Sequence, residues 1–122
     1  MKLVYLCGAI ADSPNPHTWR ENAGKLLPEN WRALNPFDYE TKIISHRALV
    51  ALDYGLILQS SAVLVRVNAP SWGSGMEIAF AHAHDIPILA FPNRQPRSRW
   101  LDAHVSEFYS TLLEAIEALK EI

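Results

Sequence analysis

At 122 residues, 49% of them hydrophobic and 20% charged, the chain has the composition of one globular domain spanning residues 1–122, without room for a second. A formal charge of −2 with a pI near 6.2 supplies no basic field for nucleic acid. No apolar run approaches the roughly 20 residues needed to cross a membrane. The single cysteine, Cys7, cannot close an internal disulfide, so a reducing, cytoplasmic location is expected.

Lys2, the apolar run Leu3 to Ile10 and the small residues Ala9 and Ala11 imitate an export signal. The unit is shorter than the roughly 15–30 residues such signals need, and a first strand explains it better. Leu3 to Cys7, ending at Gly8, reads as a central parallel strand buried on both faces. After a Pro-rich loop, Trp19, Ala23, Leu26 and Leu27 recur at helical spacing. Pro16 suits the first turn, the pair Thr18 and Glu21 offers an alternative capping start, and Pro28 ends the helix. Trp31 to Leu34 forms a short second strand halted at Pro36, and Asp38 to Lys42 reads as a loop.

Ser45 can cap a helix running to about Gln59, with Leu49, Leu52, Leu56 and Ile57 on one stripe. Ala62 to Val67 and Pro87 to Phe91 are the third and fourth strands. A helix begun near Ser74 joins them, with Met76, Ala79, Phe80 and Ala83 expected to face inward. The segment from Pro92 to Leu101 is polar and Arg-rich, with Arg94, Arg97 and Arg99 clustered. Thr111-Leu112-Leu113-Glu114 is a capping box opening a last helix whose apolar positions are Leu112, Leu113, Ile116 and Leu119.

Strands alternating with helices imply right-handed crossovers and an α/β three-layer sandwich, flavodoxin-like or Rossmann-like, around a mostly parallel sheet. Ligands of such sheets bind beyond the carboxyl ends of the strands, where the strand order reverses. Gly8, Asp38 and the turn from Ser71 to Glu77 should therefore converge.

That turn, Ser71-Trp72-Gly73-Ser74-Gly75-Met76-Glu77, brings glycines and a carboxylate to a helix start. Glycines let a ligand approach the main chain, and free N–H groups attract anions. On spacing alone Glu77 completes an S-x-x-E capping box and serves only the backbone; in the other reading it is an ionised nucleophile on a cleft floor. Asp53, between Leu49 and Leu56, places a carboxylate inside an apolar stripe, which calls for a partner or a cleft, unless it points to solvent from the helix edge. Two carboxylates in different environments would suit glycosidic chemistry. Ser71 could bond a sugar hydroxyl or a phosphate, or simply shape the turn, and Trp72 could lid a flat ligand or pack. The glycines complete neither a dinucleotide fingerprint nor a P-loop. His82 and His84 stand on different sides of one helix, and no metal site is expected.

The order of Val4-Tyr5-Leu6-Cys7-Gly8-Ala9-Ile10, Leu34-Asn35-Pro36, Asp53, Ala62 to Val65, Ser71 to Ala79 and Ile86-Pro87-Ile88-Leu89 resembles the nucleoside 2-deoxyribosyltransferases and related nucleotide N-glycosidases. The resemblance implies an enzyme acting on a nucleoside or nucleotide and a free nucleobase, working as a homodimer or higher homo-oligomer without metal or organic cofactor. By the same resemblance Glu77 attacks the anomeric carbon, Asp53 assists proton transfer, Tyr5 orients Glu77, and Ser71 lies near the 5′ end. The pocket would be completed by a neighbouring subunit, with Asp102 or His104 the candidates. Where phosphate-binding relatives carry a Ser and a nearby Arg, this chain reads Ala9-Ile10-Ala11-Asp12, which disfavours a 5′-monophosphate; Asp12 could meet a free 5′-hydroxyl. Transfer to a base, transfer to water, and a non-catalytic nucleotide-binding module all remain compatible with these residues.

Overall fold

The computed structural model describes residues 1–11, 13–42 and 45–122, with the side chain of Thr41 left aside. Five parallel strands form one sheet: β1 (Lys2–Gly8), β2 (Trp31–Leu34), β3 (Ala62–Arg66), β4 (Ile88–Phe91) and β5 (Glu107–Phe108), in the order β2-β1-β3-β4-β5. This is the flavodoxin-like order, and the chain reverses direction across the sheet between β1 and β3. Tyr5 pairs with Leu34 on one side and Val63 on the other, while Gly8 pairs with Arg66. The loops after β1 and β3 thus leave the sheet side by side.

Alternation along β1 divides the core. Val4 and Leu6 join Trp19, Ala23, Leu64, Ile116 and Leu119 on the face covered by helices α1 (Thr18–Leu26) and α5 (Leu112–Ala118). Tyr5 and Cys7 join Ile57, Val63, Val65, Ile78 and Ala81 on the opposite face, covered by α2 (His46–Leu58), α3 (Trp72–Ala83) and α4 (Arg99–His104). Burial on both faces is why β1, β3 and β4 read as continuous apolar runs. It also fixes the site, because successive residues of a strand point to opposite faces. Tyr5 and Cys7 have to point the same way, toward α3.

Several expectations are corrected. Helix α3 begins at Trp72, its cap being Ser71, whose Oγ accepts from the Ser74 N–H at 3.2 Å. Glu77 therefore lies beyond the first turn, and the capping box on Ser74 does not form. The buried residues of α3 are Ile78 and Ala81; Met76, Ala79 and Ala83 are exposed and Phe80 is half-buried. Apolar residues surround this helix on nearly every side, so its pattern does not define one inward face. Helix α1 is capped by the His17 position without a side-chain bond, so Thr18 and Glu21 form no cap, and Leu26 and Leu113 are exposed.

The last helix keeps half of its expected box. Thr111 Oγ1 accepts from the Glu114 N–H, while Glu114 Oε2 reaches the Ser110 N–H instead of that of Thr111. Short 3₁₀ turns at Pro36–Asp38 and Glu40–Lys42 occupy the segment after β2, and α4 with β5 follows the Arg-rich stretch. No helix among the described residues is long and apolar enough to cross a membrane.

Candidate active site

The strand order puts a cavity of about 320 Å³ beside the carboxyl end of β1, under the start of α3. Tyr5 and Gly8 come from β1, Arg20 from α1, Glu40 from the 3₁₀ turn after β2, Asp53 and Tyr54 from α2, and Ser71, Gly73 and Glu77 from the α3 region. Ligand sites at the switch point of an open α/β sheet follow from this topology.

Two residues of β1 hold Glu77. The Tyr5 phenol donates to Glu77 Oε2 at 2.5 Å, and the Cys7 thiol donates to Oε1 at 3.4 Å. Period-two geometry provides this clamp, since Tyr5 and Cys7 share a face and α3 crosses it with Glu77 pointing down. Burial pushes the Glu77 carboxyl above its ordinary range, while the Tyr5 and Cys7 bonds and the Arg20 charge pull it back. Burial, and then the same carboxylate, push the Tyr5 phenol and the Cys7 thiol upward, so both stay protonated and remain donors.

Arg20 is 3% exposed and is the one cation among the described residues lining the cavity. Its Nη2 donates to the Gly8 carbonyl at 2.9 Å and its Nη1 to that of Pro16. The guanidinium lies 4.9 Å from the ring centres of both Trp19 and Phe37. These contacts tie the loop after β1 to α1 and leave a buried positive charge near Glu77.

Asp53 sits beside carboxylates rather than donors. Its carboxyl is pushed up to about 8, first by burial, then by the neighbouring Glu40 and more weakly by Glu77. Asp53 Oδ1 is buried without a hydrogen-bond partner, while the pair with Glu40 forms a hydrogen bond only when one of the two carries a proton. Two carboxylates side by side repel, whereas a carboxyl and a carboxylate share a proton. Burial raises both carboxyls, but the donors around Glu77 favour its ionised form, whereas the carboxylates beside Asp53 favour its protonated form, and such a difference of environment is what acid–base pairs require.

Tyr5, Gly8, Asp53, Ser71, Gly73 and Glu77 line one cavity. Asp38, Trp72, Gly75, Asp102 and His104 do not line it within one chain. Asp38 is exposed on its 3₁₀ turn, and Trp72 is 88% exposed. Asp102 pairs with Arg97 at 2.8 Å, and His104 packs edge to face on His82 with ring centres 4.8 Å apart. Asp12 falls outside the described residues. Sequence reasoning missed Glu40, Arg20 and the contact of Cys7 with Glu77. Glu40 sits in a segment with no periodic signal; Arg20 follows Trp19 on a helix whose polar residues are otherwise solvated. Among the described residues no cluster of three metal-ligating side chains is present.

No family model matches the sequence. Over 73 residues, 59% of this chain, it is 33% identical to a Methanosarcina barkeri protein provisionally named 2′-deoxynucleoside 5′-phosphate N-hydrolase 1, and the matched stretch covers 45% of that relative's length. A 2-deoxyribosyltransferase from Leishmania mexicana superposes with a TM-score of 0.78 at 15% identity, over 99% of this chain and 98% of that one. The CMP N-glycosidase of Clostridium botulinum gives a TM-score of 0.66 at 21% identity, over 98% of both chains. The chain therefore has the all-parallel, three-layer α/β fold of nucleoside deoxyribosyltransferases and N-glycosidases, and resembles them in the order of its motifs.

Proposed function

We propose that the chain is an enzyme that cleaves the N-glycosidic bond of a (deoxy)nucleoside through a covalent adduct on Glu77 and passes the sugar to another base. The observation that carries this reading is the clamp on Glu77 by Tyr5 and Cys7, in the same cavity as Asp53, whose carboxyl is pushed up to about 8.

A Glu77 oxygen attacks the anomeric carbon as the bond from that carbon to the base nitrogen breaks. The electron pair of the broken bond stays on the base, and the Asp53 carboxyl supplies a proton to the base as it leaves. The positive charge developing on the sugar is stabilised by the carboxylate that then traps it. In the second half the incoming base attacks the same carbon, Glu77 departs as carboxylate, and Asp53 takes up the proton released. Tyr5 and Cys7 keep the carboxylate oriented throughout, and Leu49, Val50 and Tyr54 give the cavity an apolar wall.

Transfer to water is the second reading, favoured by the N-hydrolase name of the Methanosarcina barkeri relative. Incubation with a deoxynucleoside and a second free base, followed by chromatography of both products, separates the readings. Base exchange supports transfer; release of free sugar and base supports hydrolysis. Binding with no turnover of any nucleoside or nucleotide would replace both with a non-catalytic module.

Assembly as a homodimer or higher homo-oligomer belongs to this proposal. Its support is the exposed apolar set Trp72, Met76 and Val50, respectively 88%, 58% and 48% exposed, of which Met76 and Val50 also line the cavity. In this arrangement a neighbouring copy closes the cavity and Asp102 or His104 reaches the partner's site. Light scattering of the purified protein tests the mass.

A further inference from the structure

A second cavity, of about 540 Å³, opens beyond the carboxyl ends of β3 and β4 and shares Ser71 and Ser74 with the first. The two differ in charge. Glu40, Asp53 and Glu77 line the first, where Arg20 is the one cation among the described residues. Arg66, Arg94 and Arg97 line the second, and among the described residues no carboxylate does.

The arginines come from two neighbouring segments. Arg66 ends β3, paired in register with Phe91 at the end of β4, and Arg94 and Arg97 follow on the segment after that strand. Arg66 Nη1 donates to the Pro14 carbonyl at 2.6 Å and to that of Asn15 at 3.3 Å, which fixes the guanidinium and leaves its other nitrogens to a ligand. Arg97 Nε bonds Asp102 at 2.8 Å, Nη1 bonds Asn93, and the guanidinium lies 4.0 Å from the Phe108 ring centre. Arg94 forms no ion pair among the described residues. Pre-oriented guanidinium groups match phosphate oxygens with two parallel bonds, which a solvated lysine does not do.

The position of the second cavity assigns its occupant. With the anomeric carbon at Glu77 and the base toward Asp53 and Glu40, the 5′ carbon lies across the sugar ring, on the side of Ser71. We propose that the second cavity is a polyphosphate subsite and that the chain takes a nucleoside 5′-di- or triphosphate, its phosphoryl chain running past Ser71 and Ser74 along Arg66, Arg97 and Arg94. A single phosphoryl group would occupy only the wall shared by the two cavities, whereas Arg66 ends β3 and Arg94 and Arg97 lie on the segment beyond β4. The acidic first cavity and basic second cavity match a molecule that is neutral at its base and sugar and strongly anionic at its far end. This inference rests on the glycosidic reading for its orientation.

Calorimetric titration with inorganic phosphate, pyrophosphate and tripolyphosphate, magnesium omitted, tests the subsite without requiring turnover. The expected result is a Kd that tightens with each phosphoryl group, at least tenfold from phosphate to tripolyphosphate, and weakens at least tenfold for tripolyphosphate in Arg94→Ala combined with Arg97→Ala. Equal or absent binding of the three anions, or binding untouched by the substitutions, overturns the proposal. A deoxynucleoside and its 5′-mono- and triphosphate are then compared as substrates. The triphosphate is expected to have the lowest KM; a lower KM for the free nucleoside or monophosphate overturns the polyphosphate assignment while leaving N-glycosidic cleavage intact. If none of the three is turned over, the glycosidic reading fails, and the anion titrations still decide the subsite.

Discussion

The Tyr5 hydroxyl and the Glu77 carboxylate meet at 2.5 Å across the interface between the first strand and the third helix. That bond couples fold to chemistry, because the strand position that buries the ring also aims its hydroxyl at the proposed nucleophile. Tyr5→Phe keeps the ring and removes the donor. A hydrogen bond to a charged group is worth about 1.5–3 kcal/mol, so kcat should fall about 10- to 100-fold. Glu77 should also titrate higher, moving the acid limb of the kcat/KM profile to higher pH. An unchanged profile would show that the bond does not serve the reaction.

Glu77→Gln tests nucleophile against architecture. The amide retains the shape, accepts from Tyr5 through its oxygen and is uncharged, so burial no longer opposes it. Turnover should drop by about a thousandfold or more, with a thermal midpoint equal to or above that of the parent. Loss of stability together with activity would favour a structural role.

Asp53 gives the alkaline limb. As a proton donor with its carboxyl pushed up to about 8, it supports activity below that pH and loses it above. The stability sign follows the same shift: the folded value lies above the ordinary 3.8, so the contribution to folding is complete below about 3.8 and is lost as pH rises through about 8. Asp53→Asn mimics the protonated form. Its thermal midpoint should match the parent near pH 4 and exceed it at pH 9, while base departure becomes slow at every pH.

Glu40→Gln should lower the Asp53 value by removing the neighbouring carboxylate. The alkaline limb then moves to lower pH while the acid limb, set by Glu77, shifts far less. Measurement of kcat/KM from pH 5 to about 9 distinguishes this from a general loss of activity.

Gly8→Ala probes the wall between site and core. An added Cβ would come within 3.1 Å of Trp19 Cζ2 and 3.4 Å of the Arg66 carbonyl oxygen. Trp19 is 6% exposed and has little room to retreat. Overpacking of this kind costs about 1–3 kcal/mol, which urea denaturation would register as a lower midpoint with an unchanged slope.

The parts legible in the sequence are those with one physical requirement. β1, β3 and β4 need apolar residues on both faces, so their runs stand out, and Asp53 was visible because a carboxylate interrupts the stripe of Leu49 and Leu56. β5 comprises only Glu107 and Phe108, too short for any periodicity to show. The phase of α3 was hidden because Trp72, Met76, Ile78 and Phe80 point in several directions, and its true cap, Ser71, competes with an equally plausible Ser74. Glu40 and Arg20 acquire their roles only from the tertiary positions of a 3₁₀ turn and of α1. No local pattern encodes that arrangement.

The central claim is a covalent bond between the sugar and Glu77. An electronegative substituent next to the anomeric carbon slows release of such an intermediate by destabilising positive charge on the ring. Incubating the protein with 2′-fluoro-substituted nucleosides and nucleotides, digesting it and sequencing the peptides by mass spectrometry tests the claim directly. The expected result is one added glycosyl group on Glu77, absent in Glu77→Gln. Turnover of the unsubstituted substrate with no adduct, or with the adduct on another residue, would contradict it.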